Sequence, residues 1–180
     1  MLKLHLGCGE RYIEGFYHVD LKPYAHVNKC ASAADLGFIQ SGTVDLIYAS
    51  HVLEHFGRKE YMGVLKEWFR VLTPGGVLRL SVPNFARCAA IYFNEGFKDG
   101  LTGLVGLIMG GQRDQQDFHR MIFDADILSR SLKDVGFSSV REWDWRSTEH
   151  AAVDDYSQAY LPHMDKTNGT LMSLNLEGIK

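Results

Sequence analysis

Paired cysteines, long apolar runs and blocks of like charge are all missing from this 180-residue sequence. Cys8, Cys30 and Cys88 are odd in number and show no C-x-x-C spacing, which argues against a disulfide framework and predicts free thiols in a reducing compartment. The longest apolar stretch, Leu101 to Met109, is interrupted by Gly103 and Gly106. It is far shorter than the roughly 20 residues that span a bilayer, which leaves a packed helix, a lid or a subunit contact in a homodimer. No run of Lys or Arg occurs, and the net charge of -3 offers no general attraction to phosphate backbones, so no nucleic-acid partner is expected. The start of the chain lacks a basic segment followed by an apolar one, and a cytoplasmic protein is the expectation. Repeats and low-complexity tracts are also absent, and 46% hydrophobic content over this length suits a single domain, residues 1–180.

What is present alternates between strand-like and helix-like spacing. Leu2 to Leu6 alternates, Phe16 to Leu21 is aromatic and β-branched, Asp45 to Ala49 is a short buried-type run, and Val77 to Val82 predicts a further strand. Between the last two, Val52, Phe56, Tyr61, Val64, Leu65, Trp68, Phe69 and Leu72 recur at mostly three- or four-residue spacing. That spacing predicts a helix covering a sheet, ended by a turn at Pro74-Gly75-Gly76. Strand, helix and strand in that order describe a right-handed crossover in a parallel sheet. Phe85 to Phe97 predicts another helix, Gly110 to Asp117 a polar loop, and Asp124 or Asp126 the cap of a helix that carries Ile127, Leu128, Leu132 and Val135 and stops at Gly136. Ser138 to Trp143 is strand-like, and Asp144 to Asn168 is rich in loops. In the closing strand, Leu171 to Ile179, Met172, Leu174 and Leu176 share one face while Ser173, Asn175 and Glu177 share the other. This alternation predicts a half-exposed strand at the sheet's margin.

The most informative feature is Leu4-His5-Leu6-Gly7-Cys8-Gly9 followed by Tyr17-His18-Val19-Asp20. A glycine turn after a strand lets backbone approach a ligand closely, and a carboxylate at the tip of the next strand can accept hydrogen bonds from both hydroxyls of a ribose. Ala34-Asp35-Leu36, Val44 to His55, and Leu72 to Leu80 follow in order. Together these motifs resemble the class I S-adenosylmethionine-dependent methyltransferases, particularly the compact bacterial type 11-like branch. The resemblance implies an α/β fold: a doubly wound, mostly parallel seven-stranded sheet with helices on both faces and the last strand antiparallel. It implies S-adenosylmethionine as cofactor. Gly7, Cys8 and Gly9 would lie under its methionine part, Asp20 on its ribose, Asp35 and Leu36 beside its adenine, and Ser50 and His51 along the pocket beyond the fourth strand. The chain departs from the pattern between Gly9 and Phe16, where only Glu10 to Gly15 intervene, although a crossover normally takes a dozen or more residues. The first helix is therefore expected to shrink to one turn. The sequence also starts at its first strand, so a lid or acceptor-site insertion is expected from 84–124 or 144–168.

His51-Val52-Leu53-Glu54-His55 also fits the H-x-x-E-H zinc pattern. It directly follows a buried-type strand at a helix entrance, which favours His55 as a capping or packing residue and His51 as a cofactor neighbour, with no metal. The segment Gly110 to Arg120 is the candidate for substrate contact, and His119 is the candidate general base, since imidazole titrates near neutrality. The expectation is a methyltransferase acting on an oxygen or nitrogen of a small-molecule or saccharide acceptor. Two rivals remain open: a cofactor-binding module without catalysis, and a nicotinamide-dependent dehydrogenase, which the missing third glycine and missing Tyr-x-x-x-Lys pair disfavour.

Overall fold

The computed structural model of the chain describes residues 1–94 and 102–180. Strands β1 (Lys3–Leu6), β2 (Tyr17–Asp20), β3 (Lys29–Cys30), β4 (Val44–Ser50), β5 (Leu72–Pro83) and β6 (Ser139–Glu142) precede a two-stranded ribbon, β7 (Tyr160–Leu161) with β8 (Thr170–Leu171), and the closing β9 (Ser173–Ile179). The main sheet has the order β3-β2-β1-β4-β5-β9-β6, and every pairing in it is parallel except the two that β9 makes. The α-helices among the described residues are α1 (Tyr61–Val71), α2 (Phe85–Asn94), α3 (Thr102–Met109) and α4 (Ala125–Val135). The mostly parallel seven-stranded α/β sheet with its antiparallel last strand is as the motifs implied.

Strand alternation sorts the sheet into two unlike faces. One carries Leu4, Leu6, Val19, Ile47, Ala49, Leu78, Leu80, Val82, Leu174 and Leu176, and α1 and α4 pack over it. Helix α1 offers Val64, Leu65, Trp68 and Val71 as a buried stripe. Helix α4 is capped by Asp124, whose Oδ1 accepts from Ile127 N–H at 2.7 Å, and it stops at Gly136, where φ is 121°. The other face carries His5, His18, Tyr48, Ser81, Asn175 and Glu177, all buried. Residues 10–16 and 143–158 cover it; the latter contribute the short 3-10 turns Trp145–Ser147 and Tyr156–Gln158. Helices α2 and α3 pack on each other beyond β5, with Cys88 and Leu104 around Met172, while Phe93, Val105 and Met109 stay exposed. No helix among the described residues is long and apolar enough to cross a membrane.

Several elements differ from the sequence reading. The expected helix from Val52 to Leu72 is divided into a 3-10 turn, Leu53–His55, and α1, because Gly57 N–H turns back onto Glu60 Oε2 at 2.8 Å. Val52 and Leu53 still face the core, which is why the apolar spacing ran through the break. The Pro74-Gly75-Gly76 turn is absorbed into β5 as a bulge: Gly75 sits at φ 79°, its N–H donates to Lys180 O, and the register against β4 slips between Val44 and Leu46. Residues 10–15 contain no helical turn. Helix α2 is described as far as Asn94, and the rest of the segment expected to reach Phe97 lies outside the described residues.

The closing strand is not marginal. β9 lies between β5 and β6, and its polar side chains are buried and mostly partnered. Asn175 Nδ2 donates to Ser157 O at 3.0 Å, and Glu177 receives Arg79 and Arg141 at 3.3 and 2.6 Å. Period-two alternation reports two different environments, and here the polar one is a second interior.

His5 shows what that interior costs. Its ring lies 5.3 Å from both His18 and Tyr48, its Nδ1 has no hydrogen-bond partner, and burial, then the charges of nearby histidines, lowers its pKa from 6.5 to about 3. Below pH 6.5 the unfolded chain gains a proton at His5 that the folded one refuses, so stability falls as pH drops from about 6.5 toward 3, at up to about 1.4 kcal/mol per pH unit. Urea unfolding at pH 7 and pH 5 is expected to show a smaller loss on acidification for His5→Leu than for the unaltered chain. Equal losses would mean that His5 is not a source of the acid sensitivity.

Candidate active site

The chain leaves β1 into Gly7-Cys8-Gly9, and both glycines take left-handed backbone, φ 58° and 55°. A Cβ on Gly7 would lie 2.5 Å from Val52 Cγ2, so only glycine allows this bend against the exit of β4. Gly7 N–H donates to Val19 O at 2.8 Å, and Gly9 N–H donates to Asp20 Oδ2 at 2.8 Å. The other oxygen, Asp20 Oδ1, accepts from Lys22 N–H at 2.8 Å. A carboxylate has about four acceptor positions, so Asp20 secures the glycine turn and retains capacity toward the space beside it.

That space is a cleft at the carboxyl ends of β1, β2 and β4, where open α/β sheets bind ligands. It has two adjoining lobes of about 500 and 490 Å3. The first is lined by Gly7, Cys8, Gly9, Asp20, Ser50 and His51. The second is lined by Leu107 of α3, His119, Tyr160, His163 and Met172. Arg11, His51, His55, Arg113, Asp117, Asp155 and Tyr156 border both. Arg11 Nε donates to Asp154 O at 2.8 Å and its guanidinium lies 4.9 Å from the Tyr156 ring, so the glycine turn is fastened to the 154–156 segment. Asp155 in turn accepts from Tyr48 O–H at 2.5 Å and from Ser157 N–H at 2.8 Å. From the opposite side Asp114 takes Lys22 Nζ at 2.6 Å, joining the 110–119 segment to the tip of β2.

The residues after β4 form the chemical centre. His51 has φ 53°, which starts the tight turn that buries Glu54 to 1% exposure. The backbone oxygen of Glu54 accepts from Arg120 N–H and Met121 N–H at 2.8 and 3.1 Å, and this pairing brings His119 against the turn. Glu54 Oε1 then lies 3.3 Å from His51 Nδ1 and 3.8 Å from His119 Nε2. The rings of His55 and His119 stand edge to face with centroids 4.9 Å apart. Burial pushes the Glu54 carboxyl up to about 8. Burial, then the charges of neighbouring histidines, lowers His51 to about 3 and His119 to about 4, so both imidazoles are neutral at pH 7.

The structure gathers Gly7, Cys8, Gly9, Asp20, Ser50 and His51 around one lobe and sets His119 in the other. Cys8 contributes through its position: its thiol is buried, lies 3.7 Å from His26, and is pushed up to about 12 by burial and then by the Asp20 charge. Asp35 and Leu36 are not brought to the cleft. Leu36 is fully buried in the core, its N–H donating to Glu67 Oε1 and its carbonyl accepting from Arg70, while Asp35 is exposed and accepts from Gly37 N–H. Glu67, Arg70 and Trp68, whose Nε1 donates to Ala33 O at 2.7 Å, draw this whole segment onto α1. Sequence reading missed Arg11, Asp155 and Tyr156 as cleft residues. It read Glu54 only inside the zinc pattern, since no local signal announces the approach of residue 119.

Comparison with known proteins agrees with this geometry. Residues 4–80 match the family model described as a methyltransferase domain. No curated protein matches the chain in sequence. Among solved structures, an S-adenosylmethionine-dependent methyltransferase from Archaeoglobus fulgidus superposes with a TM-score of 0.62 at 13% identity, over 99% of this chain and 85% of that one. One from Thermotoga maritima gives 0.60 at 12%, over 99% and 82%. The 1,6-didemethyltoxoflavin-N1-methyltransferase of Burkholderia thailandensis, solved with its acceptor and S-adenosylhomocysteine, gives 0.56 at 16%, over 99% and 70%. Residues 4–80 are thus similar to a methyltransferase domain, and the chain as a whole shares the fold of these solved structures.

Gly7→Ala tests the turn. Left-handed strain and the approach to Val52 together are expected to cost at least about 2 kcal/mol, read as a fall in Tm of about 4 to 8 °C. An unchanged Tm would show that the turn tolerates a side chain.

Proposed function

We propose that the chain is an active methyltransferase that holds S-adenosylmethionine in the Asp20 lobe and a small-molecule acceptor, methylated on oxygen or nitrogen, in the His119 lobe. The observation that supports this best is the pair of adjoining lobes meeting at His51 and Tyr156. The residues present fit the cofactor: a glycine turn that a Cβ would fill, and a strand-tip carboxylate with acceptor capacity to spare. When bound, S-adenosylmethionine supplies an already activated methyl group. What the chain must add is position and exclusion of water. Gly7, Gly9 and Asp20 fix one partner. Arg11, Tyr156 and the Lys22–Asp114 ion pair close the sides of the cleft.

The second lobe favours a compact acceptor over a polymer. Its volume of about 490 Å3 is that of a small-molecule pocket, and its rim mixes Arg11 and Arg113 with Asp117 and Asp154 instead of forming a basic track. His119 is the candidate catalytic residue. Its Nδ1 lies 3.0 Å from Leu107 O, and a carbonyl oxygen only accepts, so Nδ1 carries the proton and Nε2 keeps a free electron pair. That pair can take a proton from an acceptor hydroxyl or amine.

Asp20→Asn is expected to weaken S-adenosylmethionine binding at least about tenfold by calorimetry, because ribose hydrogen bonds to a charged acceptor contribute about 1.5 to 3 kcal/mol each. Asn retains an oxygen for Gly9 N–H, so the melting temperature is expected to change little. Unaltered affinity would sink the ribose assignment. His119→Ala is expected to lower turnover about 100-fold or more on an identified acceptor while cofactor affinity holds. Full turnover with a lower Tm would make His119 a structural residue.

A further inference from the structure

Where the turn after β4 meets residue 119, the electron pairs of His55 and His119 converge on the Glu54 carboxyl, and the one proton that burial keeps on it at pH 7 has to serve them all. Glu54 is 1% exposed, and neither of its carboxylate oxygens has a hydrogen-bond partner. His119 donates from Nδ1 to Leu107 O, so it faces Glu54 Oε1 with a bare Nε2 at 3.8 Å. His51 Nδ1 lies 3.3 Å from Glu54 Oε1, and its Nε2 lies 3.1 Å from Ser173 Oγ, whose hydroxyl is also 3.4 Å from Val82 O. His55 Nδ1 lies 3.1 Å from Phe118 O and carries its proton there. One proton cannot satisfy all of these acceptors at once, whereas a cation among them would meet each.

We propose that Glu54, His55 and His119 form a binding site for a divalent first-row transition-metal ion of the zinc or manganese type, opening onto the acceptor lobe. One donor atom from each of the three lies within 4.8 Å of the other two. Donors about 2.1 Å from a tetrahedral ion stand roughly 3.4 Å apart, so small side-chain rotations complete the site. The outer partners are already in place. Ligating histidines characteristically donate their other ring N–H to a backbone carbonyl, as His55 does to Phe118 and His119 to Leu107. Two imidazoles and a carboxylate are donors such ions accept, and three protein ligands leave a position open. His55 and His119 line the acceptor lobe, so that position faces it.

This inference rests on the reading of the second lobe as the acceptor site and gives it a chemical class: a hydroxyl-bearing acceptor. An ion there holds the acceptor's oxygen and polarises its O–H bond; the proton leaves to solvent through the cleft and the electron pair stays on oxygen. His119 then acts as a ligand, and the ion takes over the proton-releasing task that a free imidazole would have.

The test uses the full chain, tag removed and metal-stripped, titrated with Co2+ and Zn2+ by calorimetry and, for Co2+, by visible absorption. One ion per chain is expected, with the intense visible bands of a low-coordinate cobalt site. Glu54→Gln and His119→Gln are expected to weaken binding by more than about 100-fold, beyond the 10- to 100-fold that loss of an outer partner causes. S-adenosylmethionine affinity, measured on the same samples, is expected to hold within about threefold. If the unaltered chain takes up neither ion at 100 times its own concentration while still binding S-adenosylmethionine, the cluster holds only a proton and the metal site is overturned. Absent S-adenosylmethionine binding with intact Co2+ uptake would strike the cofactor reading and leave the metal site standing. Should both variants fail to fold, the titration of the unaltered chain and its melting with and without EDTA decide the matter, an unshifted melt without ion uptake overturning the site.

Discussion

The segment joining β1 to β2, residues 7–16, holds too few residues to cross the sheet as a helix, and the polar face of the molecule is built around that constraint. A helical crossover would have covered His5, His18 and Tyr48 with apolar side chains. Instead Ile13 and Phe16 cover only part of them, and the chain returns much later, over residues 143–158, to close the rest with Trp143, His150 and Asp155. A cover made of loops must satisfy its own backbone, and it does so by reaching into the sheet: Asn175 bonds Ser157 O, and Asp155 bonds Tyr48 and Ser157. The aromatic and imidazole rings packed between are the residue types that can be apolar on their faces and polar at their edges.

The same constraint brings the two halves of the cleft together. With no helix between them, the glycine turn and the 154–156 segment are neighbours, and Arg11 can span from one to the other. The wall between the lobes is thus made by residues 11 and 156, 145 positions apart in sequence and joined by one guanidinium. The second junction is made by backbone. Arg120 and Met121 pair with the carbonyl of Glu54 as a short strand would, and the histidine just before them is delivered to the turn after β4. Neither contact involves regular secondary structure.

How much of this could be read from residues alone divides along the same line. The sheet, its parallel core and the first lobe were legible because their signals are local: alternating strands, a glycine turn, and a carboxylate at the tip of the next strand. The second lobe was legible only as a polar loop of interest around His119, since its walls come from α3, from 110–119 and from 154–164. Asp35 and Leu36 line neither lobe: a tripeptide carries no record of what will pull on it, and Glu67, Trp68 and Arg70 pull this one onto α1. The polar alternation of β9 was read as exposure. Periodicity gives the number of environments a strand has, not which of them is wet.

Glu54 violates a rule that the rest of the molecule keeps. Buried carboxylates elsewhere are paired, Glu177 with two arginines and Asp155 with a hydroxyl and an amide, as the cost of an unpartnered buried charge demands. Glu54 alone among them is surrounded by neutral imidazoles whose protons point elsewhere. Removing the side chain would cost the fold no hydrogen bond, since it makes none, and an apolar residue of that size would pack there without the desolvation penalty. A residue that stability does not require, held against two histidines that line the second lobe, fits the ion-binding role proposed for it. His55 and His119 make the same point from the other side, because each keeps its proton on a backbone carbonyl and turns its other nitrogen inward.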